Sequence, residues 1–138
     1  MKRLHLHLGV SDLPRAVAFY SELFATAPTV SKPDYAKWRL DDPMVNFALS
    51  TRVEKGLDHL GIDVENDSEL DQVRDRILRA GAALLEEEEA NCCYARSRKH
   101  WTADLDGTVW ESFLTHDAAS NYGEGPDVRV LREAGAAR

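Results

Sequence analysis

The chain has 138 residues, 43% hydrophobic and 30% charged, with 17 Lys and Arg against 24 Asp and Glu for a net charge of -7. That is the size and balance of one soluble globular domain, and the acidic excess disfavours nucleic acid or an anionic membrane as a partner. No apolar run nears the roughly 20 residues needed to span a bilayer, and Met1-Lys2-Arg3 leads into a strand pattern and not a signal-peptide core, so the cytoplasm is the expected compartment.

Leu4, Leu6 and Leu8 alternate with His5, His7 and Gly9, the period of a strand with one apolar and one functional face. His5 and His7 therefore point the same way. Ser11-Asp12 offers an N-cap, Pro14 stands in the first turn, and Leu13, Ala16, Val17, Phe19, Tyr20, Leu23 and Phe24 form a helical stripe that ends before Pro28. Short strands are predicted over 29–31, 35–40 and 45–51, divided by the turn compositions Lys32-Pro33-Asp34 and Asp41-Asp42-Pro43. A strand over 58–64 carries His59. Asn66-Asp67-Ser68 then caps a helix that buries Leu70, Val73, Ile77 and Leu78 and stops at Gly81. Residues 83–85 are predicted as a strand running into Glu86-Glu87-Glu88-Glu89, which reads as a solvated edge or loop. Strands over 100–104 and 109–114 flank the turn Asp106-Gly107. Residues 117–138 read as a lid, a dimer arm or a frayed tail, with a short helix over 128–134.

This order is written twice. Asp12 stands seven residues after His5 and Asn66 seven after His59, so one offset, 59 − 5 = 54, carries both the histidine and the cap of the next helix. The closing strands also match, 42–51 over 106–115, with an offset of 64 that places Phe47 at the position of Glu111. The expected architecture is α+β: two βαβββ modules (1–55 and 56–116) forming a cup-shaped mixed sheet with helices outside, one domain over 1–116, followed by the 117–138 segment.

A cup of alternating strands collects side chains from distant parts of the chain, and the repeat singles out His5, His59 and Glu111 as metal ligands. Two imidazoles and one carboxylate leave three positions of an octahedral ion open, the arrangement non-haem Fe(II) uses to hold substrate and O2 together. The same donors also bind catalytic Zn, and a fourth protein ligand would suit a Lewis-acid role for Zn, Ni or Mn. His7 shares the face of His5 without a repeat mate and reads as a contact to the ligands or to substrate. His100 and His116 read as structural.

Cys92 and Cys93 are adjacent, so they can form only a strained vicinal disulfide and are expected to be thiols in a reducing compartment. They read either as two small hydrophobes in a strand or turn, or as a pair that grips one thiophilic centre. Arg96, Arg98 and Lys99 would lower the thiol pKa if they face the sulfurs, and Glu86 to Glu89 would oppose them.

Three stretches together, His5-Leu6-His7-Leu8-Gly9-Val10-Ser11-Asp12-Leu13, Asp58-His59-Leu60-Gly61 and Asp104-Leu105-Asp106-Gly107-Thr108-Val109-Trp110-Glu111, resemble the vicinal oxygen chelate superfamily of glyoxalases, bleomycin-resistance proteins and extradiol dioxygenases. With Cys92-Cys93-Tyr94-Ala95 and Lys99-His100-Trp101, the chain is similar to the branch of cadmium-induced proteins and organoarsenical carbon-arsenic lyases. The resemblance implies an Fe(II)-dependent dioxygenase that cleaves the C–As bond of trivalent organoarsenicals with O2, with His5, His59 and Glu111 on the metal and Cys92 and Cys93 on arsenic. Zn, Ni, Mn or Co are the alternative metals, and a homodimer is expected. Three other readings stay open: a non-catalytic protein that sequesters cadmium or an arsenical, a Zn or Ni glyoxalase-like lyase or isomerase acting on a small metabolite, and a metal-free drug-binding module like the bleomycin-resistance proteins.

Overall fold

The computed structural model describes residues 1–137. The described residues form β1 (Arg3–Gly9), α1 (Leu13–Leu23), β2 (Val30–Lys32), β3 (Tyr35–Asp41), β4 (Met44–Ser50), β5 (Gly56–Asp63), α2 (Asp67–Arg79), β6 (Leu85–Cys92), β7 (Ala95–Ala103), β8 (Val109–Ala118) and α3 (Arg129–Ala137). The βαβββ order thus occurs twice, as the offset of 54 predicts. The chain divides into two compact units, Arg3–Leu60 and the remainder from Gly61 on together with Met1–Lys2.

In the first unit the strand order is β2-β3-β4-β1-β5, with β1 parallel to β4 and β2-β3-β4 an antiparallel meander. Asp12 caps α1 by accepting the Arg15 N–H at 3.1 Å, which satisfies one of the amide donors that every helix start leaves over. The helix lays Leu13, Val17, Tyr20 and Phe24 on a core of Ala36, Trp38, Val45, Phe47 and Leu49. Trp38 is fully buried, and its indole N–H donates to the Thr26 carbonyl at 3.0 Å, tying the loop after α1 to the sheet. Truncating such a side chain to Ala costs about 3–5 kcal/mol. Leu6 and Leu8 face this core, so His5 and His7 are turned to the other side of β1.

In the second unit the order is β5-β8-β7-β6. Asn66 accepts the Glu69 N–H at 2.9 Å and Glu69 reaches back to the Glu65 N–H at 3.0 Å, a reciprocal cap at the start of α2. Leu70 and Val73 then pack with Val64, Ile62, Ile77 and Leu114 on one face of the sheet. On the other face Leu131 of α3 covers Trp101, Ala103 and Val109, so the 117–138 segment is packed at Leu131.

Two predicted elements differ from the structure. β7 begins at Ala95, five residues before the predicted strand, because its buried alternation is Ser97, Lys99, Trp101, and polar residues on the inward face conceal the period. The strand predicted over 83–85 runs instead from Leu85 to Cys92 as β6, so the four glutamates stand on the sheet edge expected of them, and two reach back to β7: Glu87 accepts from the Trp101 indole at 2.7 Å and Glu88 pairs with Arg98 at 3.0 Å.

Candidate functional site

In the first unit β1 and β5 bring His5, His7 and His59 together, with one ring nitrogen of each within 4.8 Å of the others. All three side chains are buried. His5 and His59 ring centroids are 5.3 Å apart, and His7 and His59 are 4.8 Å apart. Nitrogen donors about 2.1 Å from one ion stand about 3 to 4 Å from each other, so the cluster would tighten by about an ångström around a metal.

The chemistry of this donor set fits an ion. His5 Nδ1 faces two oxygens of Asn46, the backbone carbonyl and the side-chain Oδ1, each at 3.1 Å. Both are acceptors, so Nδ1 carries the proton and Nε2 presents its lone pair. His59 Nδ1 lies 2.8 Å from the Asp58 carboxylate, which fixes the same tautomer and makes the ring a better donor at Nε2.

The register of the repeat is corrected here. Phe47 packs under α1, while its neighbour Asn46 stands on the face of His5. In the second unit Leu114 lies on the face under α2, so Glu111 lies on the opposite one. A slip of one residue exchanges the faces of a strand. The position matched to Glu111 within β4 therefore cannot be Phe47, and the residue turned to the imidazole side is a neutral amide already bonded to His5.

Glu111 pairs with Lys99, Nζ to Oε2 at 2.8 Å, and both are buried. Burial would push the Lys99 ammonium down, but the charge of Glu111 and then of the two cysteines outweighs it and holds the pKa above the ordinary lysine value. Cys92 and Cys93 are both half-buried thiols with their sulfurs 2.9 Å apart. Cys93 and Tyr94 have φ of 58° and 60°, two successive residues in the left-handed region, each costing about 1–2 kcal/mol for a residue with a Cβ.

The expectation that neighbouring cations lower the thiol pKa is overturned for Cys93. Its hydrogen bond with Cys92 pushes the thiol well up, and burial and the charges of Cys92 and Glu111 act the same way against Lys99. Arg96 is engaged by Asp117, and Arg98 by Asp67, Asp71 and Glu88.

The structure thus brings His5 and His59 together, adds His7 to them, and sets Cys92, Cys93, Lys99 and Glu111 in one electrostatic cluster within the second unit. Sequence reasoning missed Asn46 and Asp58 as partners of the imidazoles and Lys99 as the partner of Glu111. Asp58 was legible, being adjacent to His59; Asn46 was hidden by the register, and Lys99 by its place just before the predicted start of β7.

No family model matches the chain. It is 36% identical over 137 residues to a trivalent organoarsenical cleaving enzyme of Bacillus sp. strain MD1, covering 96% of this chain and 85% of that protein. It is 33% identical over 128 residues to the cadmium-induced protein CadI of Mycobacterium tuberculosis, covering 91% of this chain and 84% of that one. Its fold is similar to that of homoprotocatechuate 2,3-dioxygenase from Arthrobacter globiformis, with a TM-score of 0.62 at 15% identity over 84% of this chain and 36% of that one. The doubled βαβββ order, the buried imidazoles and these likenesses lead to one assignment: the chain belongs to the family of trivalent organoarsenical cleaving enzymes and cadmium-induced proteins, within the vicinal oxygen chelate superfamily.

Proposed function

We propose that this protein is an Fe(II)-dependent dioxygenase that cleaves the carbon–arsenic bond of trivalent organoarsenicals and releases arsenite. The observation that carries the reading is the pair of Cys92 and Cys93 thiols 2.9 Å apart, in a chain that also gathers three buried imidazoles.

Two thiols on one short turn suit a centre that accepts two sulfurs. A monosubstituted arsenical R–As(OH)2 condenses with two S–H groups to give R–As(S)2 and two waters: two As–O bonds break, two As–S bonds form, and each thiol proton leaves with a hydroxide. The raised pKa of Cys93 is compatible with this balance, because the protonated thiol is the form consumed. Lys99 favours the negative charge that Cys93 carries once its proton leaves, a charge that passes into the As–S bond as it forms.

His5, His59 and Glu111 would hold the metal, with His7 in contact with the ligands or the substrate. Bound there, Fe(II) would supply O2 activation, which redox-inert Zn would not. Asn46 and Asp58 fix the imidazole tautomers, and Lys99 fixes one oxygen of Glu111. The protein's own contribution is placement, since a fixed near-attack geometry is worth about 7–11 kcal/mol of barrier. A homodimer and a cytoplasmic setting are part of this proposal.

The test is incubation of the iron-loaded protein with methylarsenite in air and under nitrogen, with arsenic speciation and metal content measured together. Free arsenite appearing in air alone is expected. Tight binding without arsenite in either atmosphere would make the protein a sequestering one.

A further inference from the structure

The segment after β8 folds back on the turn that carries the two cysteines. The Cys93 N–H donates to the Tyr122 carbonyl at 2.6 Å, the Ala119 N–H to the Tyr94 carbonyl at 2.8 Å, and the Glu124 N–H to the Asn91 carbonyl at 3.1 Å. Asn91 Nδ2 donates to Asn121 Oδ1 at 3.0 Å, and the rings of Tyr94 and Tyr122 meet edge to face at 5.7 Å. Cys92 and Gly123 form an antiparallel bridge. These contacts grip the turn at four consecutive residues, 91 to 94.

Gly123 is the residue that lets the segment seat. A Cβ there would lie 1.9 Å from the Asn91 carbonyl oxygen, and φ is +74°, so both space and backbone conformation demand glycine. Gly125, two residues on, has nothing within 4 Å of an added Cβ. The turn it secures is unfavourable by itself, because Cys93 and Tyr94 are both left-handed, and such conformations persist only where surrounding contacts over-determine them.

We infer that residues 119–124 are a strap that presets the Cys92–Cys93 turn to receive a trivalent arsenical, with Gly123 as its positioning residue. The inference rests on the reading of the cysteine pair as the arsenic-binding group. With the strap seated, the two sulfurs are delivered together; with it loosened, the turn samples other conformations and only part of the population is competent. Apparent affinity falls by that fraction.

The experiment uses the full chain as wild type, Gly123→Ala, Gly125→Ala and Cys92→Ser, with phenylarsine oxide as the probe. Calorimetry gives the dissociation constant, the reaction rate with Ellman's reagent gives thiol accessibility, and circular dichroism with Co(II) binding checks that each chain is folded. Gly123→Ala is expected to bind phenylarsine oxide roughly tenfold more weakly and to react faster with Ellman's reagent, with Co(II) binding unchanged. Gly125→Ala should match wild type in all three. A folded Gly123→Ala with wild-type affinity and wild-type thiol rate overturns the strap. Retained affinity in Cys92→Ser overturns the thiol reading instead, and the strap as an arsenical device with it. Should Gly123→Ala fail to fold, Asn121→Ala removes one strap hydrogen bond without adding an atom; roughly threefold weaker binding supports the strap, and unchanged binding overturns it.

Discussion

Lys99 Nζ lies 2.8 Å from Glu111 Oε2, with the two side chains at 4% and 6% of full exposure. Neither charge is solvated, so each exists because of the other. Lys99→Met strands a buried carboxylate and should cost about 3–5 kcal/mol in urea unfolding of the metal-free protein. If Glu111 is a metal ligand, an added divalent ion replaces the lost positive charge, and the deficit should shrink on loading. A deficit of the same size with and without metal would take Glu111 out of the ligand set.

The orientation of the imidazoles gives a second expectation. Asp58→Asn and Asn46→Ala leave every proposed ligand in place, the first replacing a charged acceptor with a neutral amide and the second removing one of the two oxygens that face His5 Nδ1. Each should weaken Co(II) binding about 10–100-fold in an absorbance titration. His5→Ala and His59→Ala should abolish it, whereas His7→Ala should retain it and lower turnover. Loss in His7→Ala together with retention in Glu111→Gln would instead mark an all-histidine site.

The thiol pair acts as a chelate, because the second sulfur attacks a centre that the first already holds. Cys92→Ser and Cys93→Ser should each weaken phenylarsine oxide binding by at least about a hundredfold, the usual scale of an intramolecular second contact. Iron content should not change. A serine variant that turned over methylarsenite at the wild-type rate would remove the sulfurs from the reaction.

His100 is fully buried in β7, and burial first, outweighing the pull of Glu86, holds its pKa below the ordinary 6.5. The unfolded chain therefore binds a proton near pH 6.5 that the native chain refuses until lower pH. Its contribution is fully present above 6.5 and is lost as pH falls from there through the lower native value. With a chelator present, the urea midpoint of wild type should drop with acidification across that window more steeply than that of His100→Leu. Parallel curves would refute the assignment.

Much of this was legible in the residues. The caps Asp12 and Asn66 and the alternation at His5 and His7 each follow from a local rule, and all stand where that rule puts them. The readings that failed depended on a neighbour. The face of Phe47 follows from register, which one residue of slip inverts. The state of Cys93 follows from its hydrogen bond with Cys92 and its burial, which outweigh Lys99, while Arg96 and Arg98, closer in sequence than Lys99, are claimed by carboxylates from α2, β6 and β8. The first half of β7 escaped notice because its inward residues are a serine and a lysine, which is what a strand lining a polar site carries.

The row Glu86 to Glu89 lies along the outermost strand of its sheet. A bare strand margin invites the margin of another molecule to add on, and like charges along it make that addition unfavourable. Because Glu87 and Glu88 also hold Trp101 and Arg98, neutralising them to improve crystallisation or expression would loosen β7 and open the sheet to end-on growth at once.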